Sequence, residues 1–145
     1  MTNHVRQQLR DAAVTALTGL TTTGSKVYGS RVYAMQDANL PGLRVFTNNE
    51  TVRISSMGVS RLLERDLELV VEACVKQNDT FDSVLDTIIK EVETALAGGL
   101  TGAKYVSLKS IEIELNGDGE KPVGVARMIF ETPYITANGV PDTAY

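Results

Sequence analysis

The chain has no tryptophan, one histidine and one cysteine among its 145 residues. A lone Cys74 excludes an internal disulfide and fits a reducing compartment. It could be a nucleophile only with a base beside it, and no internal histidine exists to serve. Cys74 therefore reads as a small apolar residue of a core or an interface. His4 stands at the start of the chain with no second ligand or base near it in sequence, which argues against a metal or acid–base role. No apolar run approaches the roughly 20 residues that span a bilayer. The opening MTNHVRQQLRDAAV lacks an apolar segment, so no signal peptide is expected. Basic residues are also short: fourteen Lys and Arg stand against eighteen Asp and Glu, a net charge of −4. Tight nucleic-acid binding needs clustered cations and is not expected.

What is present is ordinary globular material. Hydrophobic residues make up 43% and charged residues 22% of the chain, so a packed fold is the expectation rather than disorder. The length suits one domain, 1–145.

Val5, Leu9, Ala12, Ala13, Ala16, Leu17 and Leu20 recur at helical spacing, with Asn3 as a candidate N-cap and Gly19 or the Thr21–Gly24 run as the stop. Asp79 to Ala97 is a second helix. Asp79 would cap it, and Phe81, Val84, Leu85, Ile88, Ile89, Val92 and Leu96 form its stripe. Gly98-Gly99 end it.

Arg61 to Lys76 fits both periods. Its alternation of Leu67, Leu69, Val71, Ala73 and Val75 against Asp66, Glu68, Glu72 and Lys76 is longer than the helical stripe, and favours a strand. Sixteen extended residues reach about 50 Å, more than the roughly 40 Å diameter of a compact chain of this size. A projecting arm that needs a partner is therefore expected. Lys104 to Asn116 is a strand with Ile111, Ile113 and Leu115 on one side, Glu112 and Glu114 on the other, and a bulge near Lys109 or Ser110. Asn116-Gly117-Asp118-Gly119 is a hairpin turn leading into Val123–Thr132, and Pro133 should end regular pairing. The fold class expected is α+β, a mostly antiparallel sheet with two helices packed on one face.

Two stretches lack core periodicity. Asn48 to Ser60 reads as a mobile loop or the tip of a long hairpin, and 134–145 as a partly ordered, possibly flexible tail. They supply the candidate partner-binding residues Asn49, Thr51, Arg53, Met57, Tyr134 and Tyr145. The strand carboxylates Asp66, Glu68, Glu72, Glu112 and Glu114 admit three readings: a cation cluster, a solvated sheet face, or the acidic lining of a ring channel. The turn at Asn116–Glu120 lacks the ligand pattern of a calcium loop, and the glycines match no phosphate-binding loop. The five tyrosines are scattered without a basic groove and suit core edges or interfaces. No catalytic residue, metal ligand or cofactor site emerges.

Arg31-Val32-Tyr33, then Leu40-Pro41 opening into Leu43-Arg44-Val45-Phe46, follow directly on the first helix. The Asp79–Ala97 helix lies between the long strand and the final hairpin. In this element order the chain resembles the tail-terminator proteins of long-tailed bacteriophages, the minor tail proteins that cap the tail tube in lambda-like phages. The resemblance implies a structural protein without enzymatic activity. It implies a ring, typically hexameric, that stops tube polymerisation and presents the head-joining surface. The implied partners are further copies of itself, the tail tube protein and a head-completion or neck protein. DNA would pass without specific binding, at no membrane, in the virion tail or, during assembly, the host cytoplasm. Other readings stay open: a head-closure protein of related fold, a small cytosolic enzyme or binding domain with a pocket between subunits, or a generic oligomeric adaptor.

Overall fold

The computed structural model describes residues 3–30, 40–56, 58, 61–76, 80–116 and 123–145. The expectations placed on Arg31-Val32-Tyr33, Met57, the Asp79 cap and Gly117–Gly119 lie outside the described residues. The elements in chain order are α1 (Val5–Leu17), β1 (Val27–Tyr28), β2 (Gly42–Ile54), β3 (Leu62–Lys76), α2 (Phe81–Leu96), β4 (Ser107–Asn116), β5 (Val123–Ala137) and β6 (Val140–Ala144). Among the described residues, six strands form one sheet in the order β1-β2-β3-β5-β4, with β6 joined to β5. Only the short β1–β2 contact is parallel among the described residues. This is the α+β arrangement expected.

In α1, Val5, Leu9, Ala13 and Leu17 are buried, one per turn, while Ala16 falls outside the stripe and is exposed. The N-cap is His4 rather than Asn3: its Nδ1 accepts the Arg6 N–H at 3.0 Å, satisfying a donor that the first turn leaves orphaned. Gly19, at φ +94°, follows the Thr18 C-cap. α2 buries Phe81, Leu85, Ile88, Ile89, Val92 and Leu96. Thr80 is its N-cap, and Asp82 places a negative charge in the first turn, where the helix dipole favours it. Both helices share one core cluster with Leu43, Val45, Leu67, Leu69, Val71, Ala73, Ala126, Met128 and Phe130, so both cover the same sheet face. Phe81 approaches β5 so closely that a Cβ on Gly124 would lie 2.1 Å from its ring; glycine is what lets helix and strand meet there.

β3 is the centre of the sheet. Every residue from Leu69 to Val75 is buried, because β2 flanks one side and β5 the other over nearly its whole length. The expected projecting arm is corrected accordingly: the long strand does not stand in an isolated hairpin. Two boundaries also shift. β2 continues through 48–54 after a bulge between Thr47 and Glu50, so most of the expected loop is strand and the hairpin tip is shorter. β5 continues through Pro133 to Ala137, and β6 returns beside it, so 134–145 is strand rather than a loose tail. Pro133 is tolerated because β4 has already ended there: its carbonyl accepts the Lys104 N–H at 2.8 Å on that side, and no β3 ladder bond is lost.

Candidate functional site

On the sheet face away from the helices, the ladder brings charges into one row. Arg44 pairs with Glu72, Glu72 with Arg127 and Arg127 with Glu112 in register across four strands. Arg44 Nη2 reaches Glu72 Oε1 at 3.0 Å. Arg127 Nε and Nη2 donate to Glu72 Oε2 at 3.1 and 2.9 Å, and its Nη1 lies 3.8 Å from both Glu112 and Glu114. The hydrogen bonds to Glu72 hold the Arg127 guanidinium above its ordinary pKa. Cys74 sits one row away at 1% exposure, and burial pushes its thiol up to about 11, which leaves it a structural residue without nucleophilic character at neutral pH.

The five candidate lumen carboxylates thus share one face, as their alternation implies, but not as a bare acidic surface. Asp66 lies 3.5 Å from Arg53 and Glu68 3.4 Å from Lys109. Glu72 is 5% exposed, so the solvated reading is corrected for that residue. Among the described residues no cluster has the composition of a metal site. Farther along the face, Asn49, Thr51, Arg53, Asp66, Glu68, Lys109 and Glu131 line a groove of about 320 Å³. Three candidate partner-binding residues and two candidate lumen residues meet in it. The β2 bulge, which sequence periodicity did not show, brings them together.

Tyr134, expected at a binding surface, is instead fully buried. Its hydroxyl donates to Glu50, and burial and that bond raise its pKa well above the ordinary phenol value. Arg65 Nη1 also reaches Glu50, at 3.2 Å, while its Nε donates to Thr136 at 2.9 Å. Arg6 of α1 closes the cluster at 3.5 Å from Glu50. This polar knot lies beneath the helix N-terminus and fastens α1 to β2, β3 and β5. Tyr145, by contrast, is 81% exposed.

Two strand segments are exposed on both faces at once. In β4, every residue from Ile111 to Leu115 is exposed; in β2, every residue from Thr51 to Ile54 is. Ile111 stands in register with Met128 and Ile113 with Ala126, so the β4 apolar stripe continues the core rows beyond the reach of α2. Sequence patterning found the stripe but assigned it no partner.

No protein-family model matches the chain, and no curated protein matches it. Among solved structures it is similar to a chain of the virion of a native gene transfer agent particle, at 19% sequence identity with 90% of each chain covered and a TM-score of 0.47.

Proposed function

We propose that this protein is a structural, self-assembling component of a phage-like particle, of the tail-terminator type, that works by contact rather than catalysis. One observation carries the reading: β4 is a ten-residue edge strand whose Ile111, Ile113 and Leu115 are 39, 52 and 64% exposed. Long apolar edges of this kind invite pairing, and proteins that do not use them blunt or cover them. The element order from α1 to the final hairpin agrees with it. In this reading, copies of the chain close into a ring on the head-proximal end of the tail tube. The ring adds to the growing end without offering the same end again, and so stops polymerisation. It then meets a neck protein on its other side. The face carrying Asp66, Glu68, Glu112 and Glu114 lines the passage, where acids that are only partly paired with cations leave phosphates no free cation cluster to bind.

Electron microscopy and sedimentation of the purified protein, alone and mixed with tail tubes, test this. Rings in solution or at tube ends are the expected result. A monomer under both conditions would overturn it.

A further inference from the structure

We infer that the outer edge of β4 pairs with the outer edge of β2 in a second copy of this chain, antiparallel and with the helix-covered faces on the same side. The inference rests on the self-assembly reading above and gives it a specific contact.

Both edges are open among the described residues. β4 pairs only with β5, and β2 meets β1 only at Leu43 and Arg44. Ile111 to Leu115 of β4 and Thr51 to Ile54 of β2 are the exposed parts of these edges, and there the backbone has no second strand beside it among the described residues. Direction is compatible. β2, β3, β5 and β4 alternate in sense along the sheet, so β4 runs opposite to β2. A neighbour in the same orientation therefore presents β2 antiparallel to β4, and the sheet continues across the contact.

Side chains agree on both faces. Val52 stands in register with Arg65 and Tyr134, and Ile54 with Leu63 and Thr136, which puts both on the helix-covered side. They are 47 and 52% exposed. Ile111, Ile113 and Leu115 occupy the same side of β4. On the opposite side β4 carries Glu112 and Glu114, and β2 carries Arg53. Arg53 is held within the chain only through exposed pairs to Glu64 and Asp66 at 3.4 and 3.5 Å, which are weak. With Ile113 opposite Val52, Ile111 meets Ile54 and Glu112 meets Arg53. A shift of two residues puts Leu115 opposite Val52, Ile113 opposite Ile54 and Glu114 opposite Arg53. Both registers match these pairs apolar to apolar and acid to base, and the first also sets Leu115 opposite Glu50.

The competing symmetric contact centred on Ile113 is opposed by charge. Two β4 strands related by a two-fold axis keep their faces, and with Ile113 at the axis Glu112 would lie opposite Glu114 in both directions. Like charges directly opposite destabilise a strand pair. The β4–β2 contact joins two different patches, so each bound copy still offers one of each. Such contacts propagate until rotation closes them into a ring.

Cysteines placed singly at Val52, Ile54 and Ile113 of the full chain test the contact with a short thiol cross-linker; native Cys74, buried, does not compete. Mixing Ile113→Cys with Val52→Cys or with Ile54→Cys should give at least tenfold more dimer than any one variant alone. Arg53→Glu should suppress that yield at least tenfold, and adding Glu112→Arg and Glu114→Arg to the same chain should restore it. Self-linking of Ile113→Cys at a yield equal to the mixtures would overturn the inference in favour of the symmetric contact. No linkage in a protein that sediments as an oligomer would also overturn it, with self-assembly left standing. A monomer at every concentration, both alone and mixed with tail tubes, would remove both.

Discussion

β3 and β4 carry almost the same pattern and meet opposite fates. Leu67-Glu68-Leu69 in one and Ile113-Glu114-Leu115 in the other alternate apolar and acidic residues. Leu67 and Leu69 are fully buried, whereas Ile113 and Leu115 are more than half exposed. The carboxylates differ in the same way. Glu72 of β3 is sealed between two arginines, and Glu114 of β4 touches only the fringe of one. Alternation tells which face a side chain takes. Whether anything covers that face depends on place in the sheet, and β3 is central where β4 is an edge.

The largest effect that sharpens this contrast is in hydrocarbon. Leu69→Ala should cost about 2–5 kcal/mol, since it opens a cavity in a packed row. Ile113→Ala should change monomer stability by no more than about 0.5 kcal/mol, as surface substitutions do. Denaturant melts of both variants check the pair, and equal losses would mean that β4 is covered in the folded chain.

The charge comparison comes next. Glu72→Ala strands the Arg44 and Arg127 guanidiniums on a partly buried face and should cost about 3 kcal/mol, at the low end for a broken buried pair because Arg127 still reaches water. Glu114→Ala should fall within about 1 kcal/mol, as exposed ion pairs do. Thermal unfolding at low and moderate salt separates them: the Glu114 effect should fade with salt and the Glu72 effect should persist.

The smallest effect is a pH dependence at α1. Burial, with help from Arg6, holds the His4 pKa below its ordinary 6.5. The unfolded chain therefore binds more protons than the folded one just below that pH. The His4 contribution is fully present above about pH 6.5 and is lost as pH falls, and protonation also removes the Nδ1 acceptor that caps the helix. His4→Asn keeps a capping side chain without the titration, so its melting temperature should vary less between about pH 5 and pH 7 than the parent's.

Much of the fold was legible because burial wrote it. The α2 stripe and the β3 alternation follow from residues that face the core, and the register shift between Leu108 and Ser110 lies where the apolar phase of β4 breaks, even though Ile111, Ile113 and Leu115 are exposed. The misses share a cause. Residues 48–54 form a strand that buries little, so no period marked it. Nothing in the sequence around Pro133 shows that its neighbour strand ends there. Glu72 and Tyr134 are buried through partners far apart in sequence, Arg44 with Arg127 and Glu50 with Arg65, and only the ladder register reveals those meetings. The candidate surface was legible in the same partial way: Thr51, Arg53, Glu112 and Glu114 could be named as exposed, but not that they stand on two free edges of one sheet.

The side-chain amide of Gln8 donates both to the carbonyl of Asn3, at 2.6 Å, and to that of Asp142, at 2.9 Å. One short group reaches both, so the two ends of the fold lie side by side. The backbone is nearly a closed circuit, and its present opening is one choice among several. A circular permutant joined there and opened near Gly58, between β2 and β3, would keep every ladder partner described above. It would also turn the β2–β3 hairpin, now a local contact, into the most distant pairing in the chain. The same native packing would then follow a slower search, because loop closure precedes the contacts that reward it.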